Sequence, residues 1–141
     1  MTAPALVLLL SAALQVALTF AVYVVLARRR SAAIKAGLKL QDTALDASLW
    51  PAPARQAQAN LANQYELPVL FFAGVGIAFA IGSANWLLAI LALVFALTRV
   101  WHASEHLGAN IVKRRGLAFG LGFAALGLFW AALVLPALFF A

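Results

Sequence analysis

Four runs of about twenty apolar residues, at 4–27, 61–81, 86–103 and 117–140, leave this chain few ways to fold. A helix needs about 20 mainly apolar residues to cross a bilayer. It is also one of the two structures that can satisfy their own backbone there. The alternative, a soluble domain, fails on area. Folding at this size removes only about 70% of the unfolded surface from water, yet 66% of the 141 residues are hydrophobic and 10% charged. The sequence therefore reads as all-α, a four-helix transmembrane bundle, with 1–141 forming a single integral membrane domain. The first run is a span and not a signal peptide, because Arg28, Arg29 and Arg30 follow the apolar residues instead of preceding them.

The cations set an orientation. The loop at about 28–57 holds Arg28, Arg29, Arg30, Lys35, Lys39 and Arg55 against Asp42 and Asp46, and the connection before the fourth run holds Lys113, Arg114 and Arg115. The turn at Ala84–Asn85 carries no charge. The positive-inside rule then predicts that both basic segments are cytoplasmic and both termini lie outside. Within the long loop, Pro51 and Pro53 are expected to break helix, and Trp50 suits the membrane interface. The net charge of +6 does not point to nucleic acid, since the cations flank apolar spans and no soluble module carries them. The absence of cysteine excludes disulfides, a cysteine nucleophile and a thiolate metal site.

Polar groups inside a membrane are costly and need partners or a wet cavity. Two stripes of them stand out. Gln56, Asn60 and Asn63 lie four and three apart, flanked by Gln64 and Glu66; Arg99, His102, His106 and Asn110 lie three, four and four apart. At 100° per residue each set shares one helix face. Both fall in the half of their spans next to the basic loops. They either satisfy each other, with Glu66 and Arg99 as a buried ion pair and the asparagines as interhelical hydrogen bonds, or enclose a binding pocket. The pocket is the preferred reading. No metal is assigned: His102 and His106 alone would need a third ligand, beside an arginine that disfavours a dication. In the fourth run, Gly116, Gly120 and Ala124 recur every four residues, with Gly122 and Gly127 close by, a pattern that lets backbones approach closely within the bundle or between copies.

Two segments resemble a known family. RVWHASEHLG, residues 99–108, is similar to the Arg-Val-x-His segment on the third helix of the MAPEG family, the membrane-associated proteins in eicosanoid and glutathione metabolism. Sixteen residues beyond Arg99, Arg115 matches the family arginine held near the glutathione sulfur. ARQAQANLANQYELPVLFFA, residues 54–73, resembles the family's Arg-Ala-x-x-Asn-x-x-Glu pattern, and especially that of its bacterial members. Two registers fit. In one, Gln56 replaces the arginine and Asn63 the glutamate; in the other, Asn63 and Glu66 are the pair and the arginine becomes Ala59. Arg55 is the nearest substitute for the missing cation, and His106 stands where the eicosanoid branches have a tyrosine.

The resemblance implies a homotrimer with sites between neighbours, placed in the lipid bilayer of a bacterial inner membrane. It implies glutathione as co-substrate and an apolar small molecule as its electrophile. Arg115 is then the catalytic candidate, and Arg55, Asn60, Asn63, Glu66, Arg99, His102 and His106 are the binding candidates. The function expected is a membrane-bound glutathione-dependent transferase, peroxidase-like, conjugating a thiol to lipophilic electrophiles. The alternative is a non-catalytic relative with a structural or partner-binding role.

Overall fold

In the computed structural model, residues 1–139 are described, and all their regular structure is helical: α1 (Ala3–Lys35), α2 (Ala52–Asn63), α3 (Leu67–Ala80), α4 (Trp86–Leu107) and α5 (Val112–Phe139). The end of the expected fourth span, at Phe140, lies outside the described residues. Three helices, α1, α4 and α5, are long and apolar enough to cross a membrane unaided. Large apolar side chains such as Leu10, Phe20, Leu97 and Phe123 stand exposed on their outer faces, where acyl chains would cover them. This is an all-helical membrane bundle.

The second crossing is divided. Pro68 has no N–H to offer the carbonyl of Gln64, and its ring clashes there. Glu66 takes φ −96° and ψ −105°, outside the helical region, and α3 restarts with Pro68 in its first turn. At 1.5 Å per residue, the 14 residues of α3 reach about 21 Å, short of the roughly 30 Å hydrocarbon core. The polar helix α2 thus ends where the apolar α3 begins.

The arginines after the first run end the apolar stretch but not the helix, since α1 continues through them to Lys35. Two single 3₁₀ turns, Asp42–Ala44 and Ala47–Leu49, return the chain to α2. Asp46 caps the second turn by accepting the Ser48 N–H at 2.8 Å, and hydrogen bonding from Ser48 holds its carboxyl below the usual 3.8. Pro51 and Pro53 were expected to break helix, and instead they start one. Pro51 is the N-cap of α2 and Pro53 sits in its first turn, where a missing N–H costs nothing.

Helix α4 is central, packed on α1, α2 and α5. At the end away from the basic loops, Phe71 stacks on Phe95 with ring centroids 4.6 Å apart, and Phe129 closes edge-on at 6.5 Å. Two glycines permit this packing. A Cβ on Gly74 would lie 2.7 Å from Phe129, and one on Gly122 would lie 2.7 Å from Thr98 Oγ1. Gly116, Gly120 and Gly127 face open space. The close approach of α5 to α4 therefore runs through Gly122, and the Gly116–Gly120–Ala124 stripe stays outside the protomer.

Candidate functional site

The two polar stripes do face each other across α2 and α4, but they split into two layers. The inner layer is a buried amide chain in which only Gln15 Oε1 lacks a partner. Asn60 is wholly buried and donates to the carbonyl of Ala103 on α4 at 3.1 Å. Its Oδ1 accepts from Gln64 Nε2 at 2.9 Å, and Gln64 Oε1 accepts from Gln15 Nε2 on α1 at 2.8 Å. One amide chain thus ties α1, α2 and α4 together at the level of the helix break. Gln15 was not among the sequence candidates, although it is the one carboxamide in the first apolar run.

Arg99 is the largest side chain with almost no exposure, at 1%. Its Nη2 donates to the Asn63 carbonyl at 2.8 Å, while Nε and Nη1 are enclosed with no hydrogen-bond partner. No ion pair joins it to Glu66, which is exposed at the helix break; among the described residues the ion pair found is Arg114 with Glu105, at 3.7 Å on the surface. Without a salt bridge, the guanidinium sits behind the wall formed by Asn63 and feels the Glu66 carboxylate only at longer range.

The outer layer forms a pocket of about 450 Å³ within one protomer, lined by Asn63, His102, His106 and Arg115 together with apolar groups that include Phe119 and Val112. That volume falls in the range of small-molecule sites, about 300–1,000 Å³. One hydrogen bond places a proton on His102. The Arg115 carbonyl can only accept, so His102 Nδ1, 3.1 Å away, carries the proton and Nε2 keeps its lone pair. The Asn63 amide then donates outward to His102 Nε2 and His106 Nδ1, each at 3.4 Å. The rings stand nearly perpendicular, at 86°, with centroids 5.8 Å apart. Among the described residues no third His, Asp or Glu joins them to make a metal cluster.

Arg115 is placed from the break between α4 and α5. Asn110 takes φ +53° there, a left-handed conformation that asparagine tolerates better than most residues. Its Oδ1 accepts from Arg115 Nη1 at 2.7 Å. Four of the sequence-derived site residues, Asn63, His102, His106 and Arg115, therefore share the pocket. Asn60, Arg99 and Glu66 do not line it, and Arg55 lines a neighbouring one.

Arg29 was read only as part of the topology signal, yet it has a structural task. Its guanidinium donates to the Pro53 carbonyl at 2.9 Å, to Gln56 Oε1 at 3.0 Å and to the Leu107 carbonyl at 2.6 Å. It therefore closes the C-terminus of α4 onto α1 and α2, beside the pocket.

A buried polar layer at a helix break, with an arginine-bearing pocket outside it, lies within an integral membrane bundle. The chain belongs to the MAPEG family, whose profile matches residues 7–135. No curated protein and no solved structure matches it.

Proposed function

We propose that this chain is a membrane-bound, glutathione-dependent transferase with peroxidase-like chemistry, conjugating a thiol to lipophilic electrophiles. The observation that carries the reading is the pocket itself, where Arg115, His102, His106 and Asn63 converge with no carboxylate in the lining. Such a set suits an anion. The orphaned donors of Arg99 behind the wall add to the same positive field. Glutathione fits these residues in charge and in the volume available.

Glutathione, when bound, supplies a thiol whose free pKa is about 8.5. The Arg115 guanidinium would favour its ionised form, and Asn63 with the two imidazoles would orient its polar ends. Phe119 and Val112 give the pocket an apolar wall, through which a lipid-soluble electrophile could enter from the bilayer. Homotrimeric assembly in a bacterial inner membrane, with both termini outside, belongs to the same proposal. The unfilled Gly116–Gly120–Ala124 stripe supports contact between copies.

The test is Arg115→Ala. Arg115 sits half-buried at the wet end of its helix, so the variant should fold as wild type. Conjugation of glutathione to chlorodinitrobenzene should drop by about ten-fold or more, equivalent to about 1.4 kcal/mol of lost transition-state stabilisation. Arg115→Lys should recover part of the rate, because an ammonium keeps the charge without the planar fork. An unchanged rate and thiolate absorbance in Arg115→Ala would remove this residue from the mechanism.

A second reading has its own support. The Gln15–Gln64–Asn60 chain shows that much of the polar layer is structural. In that case the protein is a non-catalytic family member with a partner-binding role. Calorimetric titration of the purified protein with glutathione separates the two: no heat of binding in the wild type would favour the non-catalytic reading.

A further inference from the structure

One wall of the arginine-bearing pocket has a side chain missing from its middle. Val112, Gly116 and Phe119 are four and three residues apart on α5, so they share a helix face, and all three line the pocket. A Cβ on Gly116 would meet nothing within 4 Å, so neither neighbour folds over the gap. At 1.5 Å per residue, Val112 and Phe119 stand about 10 Å apart along the axis. Phe119 leans instead on His102 of α4, its ring tilted at 54° with centroids 5.9 Å apart.

Packing within the protomer does not require this glycine. Gly74 and Gly122 each sit where a Cβ would come within 2.7 Å of another side chain, and Gly116 has no such neighbour. Its backbone is helical, where glycine costs about 0.5–1 kcal/mol relative to alanine. Of the small residues at 116, 120 and 124, Gly116 alone lines the pocket. What the glycine does there is keep a volume open.

That volume adjoins Arg115, the residue just before it in the chain. With a thiolate held at the Arg115 guanidinium, a group carried on the attacked atom falls beside Gly116. It meets carbon on both sides, from Val112 and from Phe119. A gap one side chain wide suits a flat group better than a branched one, and an aromatic ring can stack offset on Phe119.

We propose that Gly116 is the specificity-determining position of the site: its open volume seats a planar apolar substituent borne by the carbon that the thiolate attacks. The proposal rests on the glutathione reading of this pocket. With an α,β-unsaturated aldehyde, the sulfur electron pair forms a C–S bond at the β-carbon. The alkene π pair shifts to give an enolate, and the α-carbon then takes up a proton equivalent to the one the thiol gave up. Nothing leaves, and no further reactant is consumed.

Crotonaldehyde and cinnamaldehyde carry a methyl and a phenyl group, respectively, on the attacked carbon, and their conjugation to glutathione reads the proposal. In Gly116→Val the ratio of kcat/KM for cinnamaldehyde to that for crotonaldehyde should fall by about ten-fold or more, the scale at which a pocket rejects a group slightly too large. The loss should appear in KM for the aldehyde, with KM for glutathione held. Gly116→Ala, a change that favours the helix, should lower the ratio by less and guards against misfolding of the valine variant. Gly127→Val adds the same bulk further along α5, where a Cβ also meets nothing within 4 Å, and should keep the wild-type ratio. An unchanged ratio in Gly116→Val, or an equal fall for both aldehydes, would overturn the inference and leave the glutathione reading standing. A wild type that conjugates neither aldehyde and shows no thiolate absorbance with glutathione would overturn both.

Discussion

Asn110 does two things that can be separated by substitution. Its backbone turns the chain between α4 and α5 at φ +53°, and its side chain holds Arg115. Asn110→Gly keeps the backbone conformation and removes only the side-chain contact, so melting should be nearly unchanged while Arg115 is released. Asn110→Ala loses both, and the left-handed conformation then costs about 1 kcal/mol. Asn110→Asp would place a carboxylate against the guanidinium and cancel its charge, so bound glutathione should show less thiolate absorbance near neutral pH than in Asn110→Gly. Equal thiolate signals in the Asp and Gly variants would mean that Arg115 does not set the ionisation. At this scale the sequence was legible in part. Helical spacing alone placed His102, His106 and Asn63 on facing stripes. It could not separate Asn63, which reaches the pocket, from Asn60 one turn earlier, which is sealed against Ala103, because an offset of about 60° on α2 decides which amide meets α4 backbone and which meets imidazoles.

At the scale of elements, the apolar runs made three crossings evident, because hydropathy integrates over a whole span and tolerates local detail. The break at Gln64–Glu66 was signalled by Pro68 alone. The continuation of α1 through three arginines carried no hydropathy signal at all, since a helix leaving the membrane keeps its backbone hydrogen bonds in water. What joins those elements is Arg29, which bonds α2 and the carboxyl end of α4 together, a favourable place for a cation. Arg29→Ala should lower stability by about 1.5–3 kcal/mol, as expected for charge-assisted bonds at a part-buried site, and shift the melting temperature in detergent by several degrees. Arg28→Ala removes the same charge from an exposed neighbour and should leave the melt in place. If the two variants melt alike, the bonds of Arg29 add nothing beyond its charge.

At the scale of the whole molecule, membrane topology and assembly answer to different residues. Topology follows the summed cations of the two basic segments, which no single substitution undoes; a periplasm-active reporter fused after Ala141 should be active, and cytoplasmic activity would reverse the orientation. Assembly depends on surface left uncovered by the protomer. Within the chain, Gly122 is spent on the contact with Thr98, and Gly74 on Phe129, so a larger residue at either place would disturb the bundle itself. Gly120 meets nothing within 4 Å. Hydrocarbon offers no hydrophobic drive for two helices to associate, so a small-residue face matters through the close backbone approach it permits. Gly120→Leu should therefore leave helicity and monomer stability intact while it weakens a trimer in mild detergent, which crosslinking and light scattering would read as a shift toward smaller species. Gly122→Leu should instead destabilise the protomer whatever the oligomer does. If crosslinking finds wild type monomeric at every detergent ratio, the trimer is wrong. If Gly120→Leu assembles as wild type does, copies meet through a face other than this one.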